Sequence, residues 1–121
     1  MAHILVVDDD EQISTLVSRV LETDGHQVSV GWNGVDALAE LEQHEFDLLL
    51  IDLVMPEKGG IETIMEIQRV APGLPIIVMS GKVSLTDVSI NRLVQHYGAL
   101  ALLPKPFTTD ELREAIGKTL T

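Results

Sequence analysis

Five short apolar runs punctuate this chain, and between them apolar residues recur at helical spacing. His3–Val7, Gln27–Gly31, Asp47–Ile51, Pro75–Met79 and Leu100–Leu103 read as strands, the second being the weakest. After the first run, Ile13, Leu16, Val17, Val20 and Leu21 mark one helix face, with Asp10 as N-cap and Asp24-Gly25 as the end. Asn33 caps a second helix carrying Val35, Leu38 and Leu41. Gly59-Gly60 leads into a third with Ile61, Ile64, Met65 and Ile67, and Pro72-Gly73-Leu74-Pro75 breaks the chain behind it. A fourth helix carries Ile90, Leu93, Val94 and Tyr97 and stops at Gly98. In the last, Thr108 and Glu111 are spaced as a capping box ahead of Leu112, Ile116 and Leu120.

Strict alternation of strand and helix predicts an α/β fold, a parallel sheet with helices on both faces. Strands buried on both faces are continuously apolar, as Leu48-Leu49-Leu50-Ile51 is. With 121 residues, 45% of them hydrophobic, the chain suits one domain with a substantial core, and at 3% aromatic that core is aliphatic.

Charge and cysteine content narrow the chemistry. Eight basic against 19 acidic residues give a net charge of -11, which argues against nucleic acid or anionic lipid as a direct partner. The absence of cysteine removes disulfides, thiol catalysis and thiolate metal sites, and suits a reducing compartment. The start of the chain has no basic region followed by a long apolar one, so no signal peptide is expected, and no run approaches a membrane span. A cytoplasmic domain is the expectation.

The polar residues beside the strands fall in a pattern. The first run leads into Asp8-Asp9-Asp10, the third into Asp52, the fourth into Ser80-Gly81 and the fifth into Lys105. All lie at the C-terminal ends of strands, the edge at which open α/β sheets place ligands. Carboxylates converging there repel one another unless one is protonated or a cation sits among them. A donor set of oxygens alone favours a hard ion such as Mg²⁺. An aspartate can act as a nucleophile toward phosphorus, and lysine and serine suit phosphoryl oxygens.

Taken in order, Ile4-Leu5-Val6-Val7-Asp8-Asp9, Asp52-Leu53-Val54-Met55-Pro56, Met79-Ser80-Gly81 and Lys105-Pro106-Phe107 resemble the receiver domain of bacterial two-component response regulators, over essentially the whole chain. The resemblance implies a flavodoxin-like, doubly wound five-stranded sheet of order 2-1-3-4-5 with five helices, forming one receiver domain over residues 1–121 with no output domain visible. It implies that Asp52 is the phosphoacceptor. Asp8 and Asp9, with Asp52 and the backbone carbonyl of Val54, would hold Mg²⁺. Ser80 and Lys105 would engage the phosphoryl group, and the bond before Pro106 is often cis in the family. The partners implied are a histidine kinase or histidine phosphotransfer protein and a downstream protein, the chain being a monomer or a phosphorylation-dependent dimer. Beyond self-phosphorylation from phosphodonors and slow self-dephosphorylation, no enzymatic activity is expected.

Each residue also has a plainer reading. Asp8 and Asp9 could serve only the following helix dipole, the role assigned here to Asp10. Ser80 alone would be a turn residue and Lys105 alone a surface charge. His3, His26, His44 and His96 show no metal-ligand spacing and are read as structural or surface residues. Trp32 is expected to pack against the core or a loop, and Phe107 beneath the Lys105 loop. Two departures from the family stand out: Leu102 where an aromatic is usual, and a longer segment after Ser80, for which residues 81–87 are expected to be mobile. The alternative function is a Mg²⁺-dependent phosphohydrolase of the haloacid dehalogenase type using Asp8 and Asp10, which leaves Asp52 without a role. A vestigial interaction domain and a flavin-binding electron carrier are weaker still, since the key residues are present and three aspartates would repel a flavin phosphate.

Overall fold

The computed structural model describes residues 2–53, 60–81 and 100–120, apart from the side chains of Ile61, Ser80 and Leu100. Its elements are β1 (His3–Val7), α1 (Glu11–Thr23), β2 (Gln27–Gly31), α2 (Gly34–Gln43), β3 (Leu48–Asp52), α3 (Gly60–Val70), β4 (Ile76–Ser80), β5 (Leu100–Pro104) and α4 (Thr109–Leu120). The strands form one sheet of order β2-β1-β3-β4-β5, and every neighbouring pair is parallel. This is the expected order. Four helices lie among the described residues. The helix expected to carry Ile90, Leu93, Val94 and Tyr97, the segment 81–87 beyond Gly81, and His96 lie outside them.

Alternation along the strands divides the core into two layers. Leu5, Val7, Leu49, Ile51, Ile76 and Val78 face one side with Ala37, Ile64 and Ile67 of α2 and α3. Ile4, Val6, Leu48, Leu50, Ile77, Met79 and Leu103 face the other with Val17 and Leu21 of α1 and Leu112 and Ile116 of α4. Since both faces are covered, β3 is buried at all five positions, and its sequence is correspondingly an unbroken apolar run up to Asp52. Among the described residues no helix is long and apolar enough to cross a membrane.

The helix ends follow local chemistry. Asp10 caps α1, its carboxylate accepting from the backbone N–H groups of Gln12 and Ile13. Asn33 caps α2 by accepting from the Asp36 N–H at 2.9 Å, while Asp36 accepts from the Trp32 N–H at 2.9 Å. At α4, Thr108 and Glu111 form the expected reciprocal box, each side chain accepting from the other's N–H at 3.0 Å. After α1, Gly25 adopts φ 92°, a left-handed conformation that a Cβ disfavours.

Several side chains depart from the expected helix stripes. Leu16, Val35 and Met65 are exposed, because each lies at the margin of its stripe, beyond the reach of the sheet. Trp32 is 46% exposed in the loop after β2 and does not enter the core. Phe107 does pack, half-buried, against the layer of α1 and α4. Leu102 is half-buried against the opposite layer. His3 bridges the backbone carbonyl of Glu45 at 3.1 Å and the Ser29 hydroxyl at 3.0 Å, and His26 accepts from the Ala2 N–H at 3.2 Å.

Two glycines separate backbone need from backbone cost. Gly117 lies inside α4, and among the described residues nothing approaches within 4 Å of a Cβ built there. Gly117→Ala should therefore stabilise the chain by about 0.5–1 kcal/mol. Gly25→Ala should destabilise it by about 1–2 kcal/mol. Urea midpoints of the two variants check both signs.

Candidate functional site

Parallel pairing brings the strand ends level. Val7 is opposite Ile51, Asp52 opposite Met79, and Ser80 opposite Pro104. The next residues, Asp8 and Lys105, therefore emerge beside Asp52 at one edge of the sheet. Asp8 and Asp52 are buried while Asp9 is exposed. Each of the three offers a carboxylate oxygen, and these oxygens lie within 4.8 Å of one another.

Lys105 closes the cluster. Its ammonium donates to Asp8 Oδ2 at 2.7 Å and stands 3.4 Å from Asp52 Oδ2. Burial pulls the ammonium down, but the hydrogen bond to Asp8 and the charges of Asp52 and Asp8 outweigh it, so Lys105 sits above the ordinary lysine value. The Lys105-Pro106 peptide is cis. Gly81 runs alongside, where an added Cβ would meet Lys105 Cβ at 3.5 Å.

Asp8 uses every polar atom it has. Its N–H donates to the Gly31 carbonyl at 3.2 Å, and its Oδ1 accepts from the Asp10 N–H at 2.9 Å. Its Oδ2 takes Lys105, and its carbonyl accepts from the Ser14 hydroxyl at 3.3 Å. Ser14 was not among the residues singled out from the sequence. A signal was available: it is a polar residue on the same helix face as Val17 and Leu21, and all three are buried.

Of the predicted site residues, Asp8, Asp9, Asp52 and Lys105 are thus brought together. The backbone of Ser80 ends β4 opposite Pro104, while its side chain lies outside the described residues, as does Val54. Asp10 stands apart from the carboxylate group as the α1 cap. Three oxygens converging beside one ammonium fit a hard divalent cation, and the lysine offers a positive group to an incoming anion.

A parallel sheet with an acidic cluster and one lysine at its carboxyl edge defines an α/β domain built to handle a cation together with an anionic group. Residues 4–117 match the response regulator receiver domain family. The chain therefore belongs to the response regulator receiver domains, the signalling-switch modules of response regulators. It is 38% identical over 117 residues to the transcriptional regulatory protein ZraR of Salmonella typhimurium, covering 97% of this chain and 26% of that protein. It is also 38% identical over 112 residues to the transcriptional regulatory protein CpxR of Klebsiella pneumoniae, covering 93% of this chain and 46% of the relative. The chain thus spans about a quarter to a half of these relatives' length. Among solved structures it resembles a CheY-like receiver domain from Methanospirillum hungatei, with TM-score 0.90 and 30% identity over 99% of this chain and 94% of the other. The chemotaxis response regulator CheY4 of Vibrio cholerae gives TM-score 0.87 and 28% identity over 99% of both chains.

The raised Lys105 value has a consequence for stability. A cation whose value is higher folded than unfolded stabilises the fold fully below its unfolded value, and that contribution is lost as pH rises through the folded value. The chain's stability relative to Lys105→Met should therefore stay level from neutrality to about pH 10 and decline above it. Urea titrations across that range check the window, and a difference that grows with alkalinity would contradict the assignment.

Proposed function

We propose that this chain is a phosphorylation-dependent switch in which Asp52 accepts a phosphoryl group from a histidine kinase or histidine phosphotransfer protein. The observation that carries this reading is the Lys105 ammonium lodged between Asp8 and Asp52 at the carboxyl edge of the sheet. The ammonium stands 2.7 Å from Asp8 Oδ2 and 3.4 Å from Asp52 Oδ2, so a positive group that suits phosphoryl oxygens lies directly beside the Asp52 carboxylate.

The residues would act as follows. Asp8, Asp9, Asp52 and the Val54 carbonyl would hold Mg²⁺. When bound, that ion neutralises charge on the carboxylates and on a phosphoryl group. An Asp52 oxygen attacks phosphorus and forms an O–P bond. The P–N bond of the phosphohistidine breaks, and its electron pair returns to the donor imidazole. Lys105 and Ser80 then turn to the phosphoryl oxygens, so Lys105 leaves Asp8 for a doubly charged acceptor. Water later attacks phosphorus, releasing inorganic phosphate and regenerating the Asp52 carboxylate.

The switch is a shift between two arrangements of one edge, biased by where Lys105 is drawn. Its output is carried by β5 and α4 to a protein target or to a domain joined to this one. With a net charge of -11, the domain makes no direct nucleic acid contact. Residues 1–121 form one receiver domain working in the cytoplasm, as a monomer or a phosphorylation-dependent dimer. The domain is no enzyme beyond its own phosphorylation and dephosphorylation. The hydrolase alternative needs Asp10 at the reacting centre, and its carboxylate is occupied in the α1 cap.

Incubation with a small phosphodonor and Mg²⁺ should give an acid-stable, base-labile phosphoprotein, and Asp52→Asn should abolish the label. Retained label in that variant sinks the reading. Turnover of phosphate esters lost in Asp8→Asn and kept in Asp52→Asn would favour the hydrolase.

A further inference from the structure

Asp9 presents a problem of placement. It is exposed, and among the described residues no hydrogen bond holds its carboxylate, yet it belongs to the three-carboxylate group. Its direction is set by the backbone of the turn between β1 and α1. The peptide unit joining Asp8 to Asp9 is planar, so the orientation of the Asp8 carbonyl fixes the plane from which Asp9 departs. That carbonyl is gripped by the Ser14 hydroxyl at 3.3 Å, from a residue only 2% exposed.

We propose that Ser14 is a positioning residue of the cation site: its hydroxyl locks the Asp8–Asp9 peptide plane and thereby aims the Asp9 carboxylate at Asp52. The inference rests on the reading of these aspartates as the Mg²⁺ site. Three other groups restrain Asp8 through its N–H and its two carboxylate oxygens; of these the Asp10 N–H bond closes the turn across Asp9, but among the described residues only the Ser14 hydroxyl holds the carbonyl of the Asp8–Asp9 peptide itself. The hydroxyl of Ser14 therefore has a task that packing alone does not explain. A buried carbonyl at the turn would otherwise lack a partner, and the turn could rotate to find one.

The same helix supplies a matched control. Ser18 lies one turn further along α1, and its hydroxyl is buried with no hydrogen-bond partner among the described residues. Removing it takes away the same atom without releasing anything at the site.

The test is calorimetric titration of the unphosphorylated chain with Mg²⁺ at fixed ionic strength. Ser14→Ala should weaken Mg²⁺ binding about tenfold, the lower end of what losing an outer partner of a ligand costs. Ser18→Ala should bind as the parent does. Should the alanine variant not fold, Ser14→Cys keeps the size with a much weaker donor and should show the same loss. Equal affinity in the parent and the Ser14 variant, even with a lower urea midpoint, overturns the proposal, because the hydroxyl then serves the fold alone. An equal loss in Ser18→Ala also overturns it. A parent chain that binds no Mg²⁺ removes the cation reading itself and the proposal with it, a result distinct from either of the others.

Discussion

The contact on which the site depends is the one between Lys105 and Asp8, groups 97 positions apart in the chain and 2.7 Å apart in space. Asp8 is fully buried, so its charge has no water to lean on. Removing the partner of such a charge typically costs about 3–5 kcal/mol, because the charge is left uncompensated. Lys105 thus ties the segment after the last strand to the end of the first and brings its ammonium within 3.4 Å of Asp52. Among the described residues the site is an ion cluster with a carboxylate excess, held together by the Lys105 ammonium.

The sheet makes this cluster possible and confines it to one place. With both faces covered by helices, the central strand β3 has room for a polar side chain only at its end. Parallel pairing then puts all carboxyl ends on one side, so residues distant in sequence meet there. The two aliphatic layers lie on the faces of the sheet, while the charges gather at its carboxyl edge.

Much of this was legible in the residues. An unbroken apolar strand ending in a carboxylate marked both the centre of the sheet and Asp52. The strand positions and the Asp10, Asn33 and Thr108 caps followed from periodicity and hydrogen-bonding capacity, and the strand order from the resemblance to the receiver family. The exposure of Leu16, Val35 and Met65 was not legible, since periodicity defines a stripe and not how far the sheet extends beneath its margin. For Trp32 the sequence left core and loop both open, and the structure places it in the loop past the end of the edge strand β2. The closer approach of Lys105 to Asp8 than to Asp52, and the Ser14 bond, depend on distances that no spacing rule contains.

The central claim is that the carboxylate at position 52, and no other in the cluster, takes the phosphoryl group. Borohydride reduction of the phosphorylated chain converts an aspartyl phosphate to homoserine, which peptide mapping locates. Homoserine in place of Asp52 is the predicted result. Homoserine in place of Asp8, Asp9 or Asp10, with Asp52 unchanged, would contradict the account.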